Sequence, residues 1–312
     1  MPLKNSRFQK KYRRFMDRPV GRKGEGMLDV TRKLVELLDL SPIGDDHFQG
    51  DSEDLGFPNV FGGQVLGQAL MAASRTIEGR MPHSMHAYFL RPGNHQLPID
   101  YEVQRVRDGG TFSVRRVIAR QEGKEILTGS MSFQVAEEGF DHQFDKPDAP
   151  GPEGLKSEQD YGKILAPQVP ESRRATLTRD RPIEIRPIDP VNPLEPEPRP
   201  PYRQSWFRAQ GELPDDPMLH CCLLAYSSDF AFLGTSLNPH GVTFLSKGLQ
   251  VASLDHSIWF HRPFRMDQWL LYDKDSPSAF GGRGFNRGNF YDQDGRLVAS
   301  ATQEALIRQR NR

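Results

Sequence analysis

A strand-like segment occurs twice in this chain. Residues 83–92 read His-Ser-Met-His-Ala-Tyr-Phe-Leu-Arg-Pro, and residues 256–263 read His-Ser-Ile-Trp-Phe-His-Arg-Pro. Both run His-Ser, then an aromatic-rich stretch, then Arg-Pro. The leading histidines stand 256 − 83 = 173 positions apart in a chain of 312. A segment repeated at about half the chain length predicts two copies of one fold, with chemistry in the clefts between copies.

The order of elements repeats as well. In the first half an amphipathic helix is expected over residues 28–40, ended by Ser41-Pro42. After Phe61-Gly62-Gly63-Gln64 comes a helix that is apolar or small nearly all round, which predicts burial. Four strand-like runs follow: Ser84–Phe89, Ile99–Asp108, Thr111–Gln121 and Lys124–Gln134, with Asp108-Gly109-Gly110 and Glu122-Gly123 as turns. The second half reads as a strand Arg203–Gly211 and a buried helix Pro217–Leu237 with Asp229 inside it. Four strands then follow, Gln250–Pro263, Trp269–Ser276, Gly284–Asp292 and Leu297–Ile307. This predicts an α+β fold, internally duplicated. The expected divisions are a basic tail over 1–26, a first unit over 27–134, a linker over 135–181 and a second unit over 182–312. The linker is polar and Pro-rich. Residues 182–201 hold eight prolines and are expected as a strand followed by a rigid loop.

Lys+Arg and Asp+Glu both total 41. This balance argues against nucleic acid as the main partner, since such domains carry a basic excess. The first 26 residues are an exception, with nine Lys/Arg, and are expected to be a disordered extension; a short amphipathic helix, as a transit peptide or an arm for an anionic surface, is the alternative. The two cysteines, Cys221 and Cys222, are adjacent. They form neither a disulfide framework nor a structural zinc site, and they point to a reducing, cytoplasmic setting. No run approaches the ~18 apolar residues of a membrane span. No apolar h-region follows the basic N-terminus, so neither stable membrane insertion nor a signal peptide is expected.

Polar residues in apolar surroundings are the candidate chemistry. Asp229 interrupts an apolar helix, and burying a polar group costs about 2–7 kcal/mol, a charged carboxylate more, unless it is bonded or paired; a helix cap is the plainer reading. Gln303, in the last strand, can both donate and accept. Ser253 precedes the Asp255-His256 pair. Asp255, His256 and His261 look like acid–base candidates. Because His83 takes the place of His256 in the first copy, however, the repeat assigns His256 to the shared scaffold. No Gly-x-Ser-x-Gly elbow, HExxH or P-loop is present, so neither a serine-hydrolase nor a metal mechanism has support.

Several motifs taken together resemble one family. They are Ser52-Glu53-Asp54-Leu55-Gly56, Phe61-Gly62-Gly63-Gln64-Val65-Leu66-Gly67-Gln68-Ala69-Leu70, His86-Ala87-Tyr88-Phe89-Leu90-Arg91-Pro92-Gly93, Ser228-Asp229-Phe230, Leu254-Asp255-His256-Ser257-Ile258-Trp259-Phe260-His261-Arg262-Pro263-Phe264 and Gln303-Glu304. In that order, over about residues 27–308, they resemble the acyl-CoA thioesterase II family (TesB-type, double hotdog). The resemblance implies a tandem hotdog, with two long central helices wrapped by a continuous antiparallel sheet. It implies hydrolysis of acyl-CoA to a free acid and CoA, within fatty-acid metabolism, with no metal or cofactor. The family's Asp, hydroxyl residue and Gln fall on Asp229, Ser253 and Gln303; the hydroxyl residue here is Ser where Thr is familiar. Gln303, or the backbone N–H groups of the helix start where Gly62 and Gly63 fall, could hold an oxyanion. Asp229 is matched to Gln68 by position in its helix, which implies one active site per chain, with the first half forming acyl-binding walls. A homo-oligomer is implied by analogy with other hotdog sheets. Two further readings stand beside this one. One is a hotdog enoyl-CoA hydratase-like enzyme using Asp255 and His256; the other is a non-catalytic acyl-CoA-binding protein.

Overall fold

The computed structural model describes residues 26–310. The basic N-terminal tail lies outside the described residues except for Gly26. The first half contains α1 (Asp29–Leu38), β1 (Ser41–Gly44), β2 (His47–Gly50), α2 (Gly62–Ser74), β3 (Met81–Phe89), β4 (Ile99–Asp108), β5 (Phe112–Gln121) and β6 (Lys124–Gln134). Then come α3 (Glu158–Leu165), α4 (Glu171–Thr178), β7 (Ile183–Pro187), β8 (Tyr202–Ala209), α5 (Pro217–Ser228) and α6 (Gly234–Leu237). The chain ends in β9 (Leu249–Ser253), β10 (Asp255–Phe260), β11 (Leu270–Phe280), β12 (Arg283–Asp292) and β13 (Leu297–Gln309).

The strands form one sheet in the order β1-β2-β4-β5-β6-β3-β10-β13-β12-β11-β8-β7, with β9 also on β13. The two repeated segments, β3 and β10, meet at its centre, where Asp255 faces Tyr88 and Trp259 faces Ser84 in antiparallel register. Outward from that seam the order mirrors itself, which is the continuous sheet of a double hotdog. The helices α2 and α5 lie against each other inside it. Their approach depends on glycine: a Cβ on Gly63 would run into the Tyr226 carbonyl oxygen, and one on Gly67 would come within 3.0 Å of that of Cys222. Around the helices, Leu66, Leu70, Met85, Met131, Leu224 and Phe232 are fully buried in one apolar core.

Several expectations change. The backbone register aligns the repeat differently from the His-Ser match. The Leu90 and Arg91 N–H groups both point at the Ile126 carbonyl, and those of His261 and Arg262 at that of Val298. Arg91 and Arg262 are therefore equivalent, and the offset is 262 − 91 = 171. The counterpart of His256 is Met85, not His83, so His256 is not shared scaffold. A two-residue slip keeps every side chain on the same face, which is why the mistaken alignment read sensibly. His83 sits instead at a bulge in β3 and bonds the Ser132 hydroxyl at 2.8 Å.

The helix expected over Pro217–Leu237 is also broken. Asp216 starts it, accepting from the Met218 and Leu219 N–H groups at 2.9 and 3.3 Å, with Pro217 in the first turn. It stops at Ser228, because Ala231 takes a left-handed conformation (φ 55°) that an α-helix does not accommodate. Asp229 is thus the residue that ends α5 rather than one in its interior, and it does not match Gln68, which lies mid-helix in α2 and accepts from the Tyr101 hydroxyl at 2.7 Å. The expected strand Gln250–Pro263 is likewise split at Leu254 into β9 and β10. The stretch 135–181 carries α3 and α4, each of eight residues. Arg179, just after α4, bonds Glu53 and the Asp54 carbonyl, both at 3.0 Å, which ties this segment to the loop leading into α2.

Candidate active site

Asp229 reaches across from the end of α5 to the beginning of α2. Its Oδ2 accepts the Gly63 N–H at 3.0 Å and its Oδ1 accepts the Gln303 side-chain N–H at 2.6 Å. The Ser253 hydroxyl is a third group that favours its charged form. The structure therefore brings Asp229, Ser253, Gln303 and Gly63 together, from α5, β9, β13 and α2. A carboxylate at the carbonyl end of its own helix is unfavourably placed, and the positive N-terminal end of α2 offsets this. Gly62 is required by closeness alone: a Cβ there would lie 2.7 Å from Asp229 Oδ2 and 3.0 Å from the Phe89 ring. Burial raises the Asp229 pKa above the ordinary carboxylate value, while Gln303, Gly63 and Ser253 pull it back. The net result is a carboxylate of raised basicity; the Phe89 and Phe61 rings lie against Gly62 and Gly63 beside it, and Phe61 stacks on Phe230 at 4.3 Å.

Gln303 touches a second polar group. Its amide nitrogen is 3.2 Å from His256 Nδ1, and His256 Nε2 is 2.8 Å from the Ser228 hydroxyl, which in turn bonds the Ala225 carbonyl at 2.9 Å. Burial holds the His256 pKa down at about 3, so the ring is neutral. Gln303 Oε1 is buried with no hydrogen-bond partner.

Of the remaining candidates, Asp255 accepts the Glu304 backbone N–H at 2.7 Å and so secures the break between β9 and β10. His261 bonds the Ser300 hydroxyl at 3.0 Å, away from Asp229. Sequence reasoning missed the contact of His256 with Gln303; the signal available was that both are polar residues at inward positions of neighbouring strands. It also gave Gly63 a free N–H, whereas that N–H is engaged by Asp229.

A family profile described as "Acyl-CoA thioesterase" matches residues 172–306, and one described as "Acyl-CoA thioesterase N-terminal domain" matches residues 51–134. The chain is 45% identical to the Acyl-CoA thioesterase 2 of Haemophilus influenzae, covering 90% of this chain and 99% of that protein. It is 40% identical to the human Acyl-coenzyme A thioesterase 8, covering 92% and 93% respectively. The crystal structure of the acyl-CoA thioesterase II TesB2 from Mycobacterium marinum superimposes with a TM-score of 0.73 at 40% identity, covering 89% of this chain and 99% of that one. With two-thirds or more of the chain matched at this identity, and with the mirrored sheet and paired central helices in place, the chain belongs to the acyl-CoA thioesterase II family of thioester hydrolases.

Proposed function

We propose that the chain hydrolyses fatty acyl-CoA to free fatty acid and CoA by direct attack of a water on the thioester carbonyl. The observation that carries this reading is the buried Asp229 carboxylate, held on one oxygen by Gly63 and on the other by Gln303. One hydrogen of the attacking water goes to Asp229 and the other to Gln303 Oε1, the buried acceptor without a partner. Both hydrogens are then directed away from the carbonyl carbon and a lone pair toward it. Ser253 holds the carboxylate in place. Asp229 takes the proton as the C–O bond forms, and the tetrahedral oxyanion collapses as the C–S bond breaks. A thiol of pKa near ~8.5 leaves as thiolate with little assistance, so no covalent enzyme intermediate is needed. Both Gln303 amide hydrogens are engaged, by Asp229 and His256, so Gln303 orients water rather than donating to the oxyanion. That donor is assigned to Gly62 N–H at the start of α2, which bonds no acceptor among the described residues.

Thiol release from saturated acyl-CoAs tests this. Asp229→Asn should lose about 10²–10⁴-fold in kcat, and Gln303→Ala about 10²–10³-fold. Ser253→Thr, which keeps the hydroxyl, should stay active. Wild-type turnover in Asp229→Asn would overturn the mechanism. Binding without turnover by the wild type would favour an acyl-CoA-binding protein. The hydratase-like reading needs Asp255 and His256 as its acid–base pair, and the Asp255 carboxylate is occupied by the Glu304 N–H.

Localisation and assembly belong to the same proposal. Cys221 and Cys222 are free and buried, which supports the cytoplasm as the compartment; no helix among the described residues is long and apolar enough to cross a membrane. Tyr88 and Phe280 are strongly exposed, at 62% and 85%, and supply apolar surface for a second copy. Light scattering of the purified protein would report the oligomer.

A further inference from the structure

We infer that His256 is a positioning residue: it accepts a hydrogen bond from the Gln303 amide and so fixes which end of that amide faces the attacking water. The inference deepens the hydrolytic reading above and rests on it.

The assignment follows in one direction from Asp229. An ionised carboxylate only accepts, so the Gln303 atom 2.6 Å from Asp229 Oδ1 is nitrogen and not oxygen. That amide nitrogen has a second hydrogen and lies 3.2 Å from His256 Nδ1, which therefore presents its lone pair. A neutral imidazole with a bare Nδ1 carries its proton on Nε2. The Ser228 hydroxyl donates its own hydrogen to the Ala225 carbonyl at 2.9 Å, so it accepts from Nε2 at 2.8 Å. Every hydrogen in the chain has one acceptor, and the chain ends on the backbone of α5. Two acceptors, one on each side, thus hold the Gln303 amide nitrogen. Oε1 must then point the other way, as the buried atom without a protein partner. Without His256 one of the two anchors is lost, and an unpaired buried N–H favours rotation of the amide.

The first half supplies the control. Met85 is the counterpart of His256, and it pairs directly with Met131 across β3 and β6. In the second half Ser257 pairs with Thr302, so the next inward pair along is His256 beside Gln303. All four side chains are fully buried. The fold therefore accepts an apolar pair at this position. The half that contributes Asp229 has a donor–acceptor pair there instead.

His256→Met installs the first-half residue and removes the acceptor. His256→Asn removes the ring but keeps an oxygen close to the place of Nδ1. The expected result is a fall in kcat of up to about 100-fold for His256→Met, with KM within about twofold, since a small misplacement of a reacting group costs that much. His256→Asn should recover most of the loss. The pH–rate profile of His256→Asn should keep the wild-type acid limb, because a ring already neutral does not titrate there. Wild-type kcat in His256→Met, or His256→Asn as slow as Gln303→Ala while melting cooperatively, would overturn the inference, as would an acid limb that disappears in His256→Asn. If His256→Met does not fold, His256→Asn decides alone: near wild-type kcat supports the role, and a Gln303→Ala-like kcat removes it. Asp229→Asn, assayed in parallel, separates the two claims. If it is inactive while His256→Met is unaffected, only the positioning role fails; if it is active, the hydrolytic reading itself fails.

Discussion

The two halves set equivalent strands around paired helices and fill the equivalent positions with different chemistry. Tyr101 faces Ala119 across β4 and β5, and Tyr272 faces Phe290 across β11 and β12, at the same offset of 272 − 101 = 290 − 119 = 171. Both tyrosines are fully buried and both bond a central helix, Tyr101 to the Gln68 side chain and Tyr272 to the Ser228 carbonyl. These shared residues are scaffold. Two residues further on, the first half has Val103 against Val117 where the second has Lys274 against Gly288. Nearer the seam, Met85 and Met131 stand where the second half has His256 and Gln303. The helix starts differ too. The α5 start is capped by its own Asp216, whereas α2 follows Phe61, which gives no side-chain cap, and receives Asp229 from the opposite half. The same interaction, a carboxylate on the first N–H groups of a helix, is local in one half and crosses between halves in the other. The crossing one is buried, raised in pKa and shared with Gln303. The first half thus contributes the positive helix end and the second half the charge.

The sharpest way to break this comparison is to disturb the close approach at the crossing cap. Gly63→Ala puts a methyl group into the Tyr226 carbonyl, so α2 must shift from α5 and carry its N–H away from Asp229. Activity should fall by about 100-fold, and overpacking should cost about 1–3 kcal/mol of stability. Thiol release and urea unfolding measure the two effects. Unchanged kcat with lowered stability would mean that the Gly63 N–H does not matter to turnover.

Lys274 sharpens the comparison at a second position. Its ammonium group is fully buried with no hydrogen-bond partner, resting over the Tyr272 and Phe207 rings at 4.3 and 5.2 Å. The ring faces favour its charge, but burial outweighs them and lowers its pKa to about 7. The unfolded chain then holds more protons between about pH 7 and the ordinary lysine value near ~10.4, so this group makes stability rise with pH across that window. Lys274→Met, which keeps the length and restores an apolar residue as in the first half, should stabilise the protein at pH 7 by on the order of 3–5 kcal/mol. It should also flatten the rise. A variant no more stable than wild type, with the same pH slope, would show that Lys274 is paired in solution.

The duplication, the strand runs and the glycine-led helix were legible because each leaves a local signature: periodicity, turn residues, or small side chains in an apolar run. The grouping of Asp229, Ser253 and Gln303 in space was legible through resemblance, and Asp229 also as a carboxylate in apolar company. The break after Ser228 was not, because Ala231 holds a left-handed backbone without the glycine that usually marks one. The alignment of the repeat failed for a related reason. A bulge at His83 and a period of two let a false His-Ser match keep every face correct. The link between His256 and Gln303 depends on strand register across 47 residues of sequence, which no local pattern encodes.

The smallest effect concerns the local cap. Asp216 satisfies the Met218 and Leu219 N–H groups, as Asp229 satisfies Gly63, but it lies at the opposite end of α5 from the candidate site. If the two carboxylates differ only in where they come from, Asp216→Ala should remove a cap and nothing else. Its expected cost is about 1 kcal/mol, the usual value for losing a side-chain N-cap. That loss should appear as a lower urea midpoint with an unchanged slope. kcat should stay at the wild-type value, because no reacting atom depends on the start of α5. Asp216→Asn, which still accepts from the same N–H groups, should restore most of the stability. If Asp216→Ala instead lowers kcat as Gly63→Ala does, then the start of α5 sets the position of its far end, and the halves are coupled along the helix as well as across the Asp229 contact.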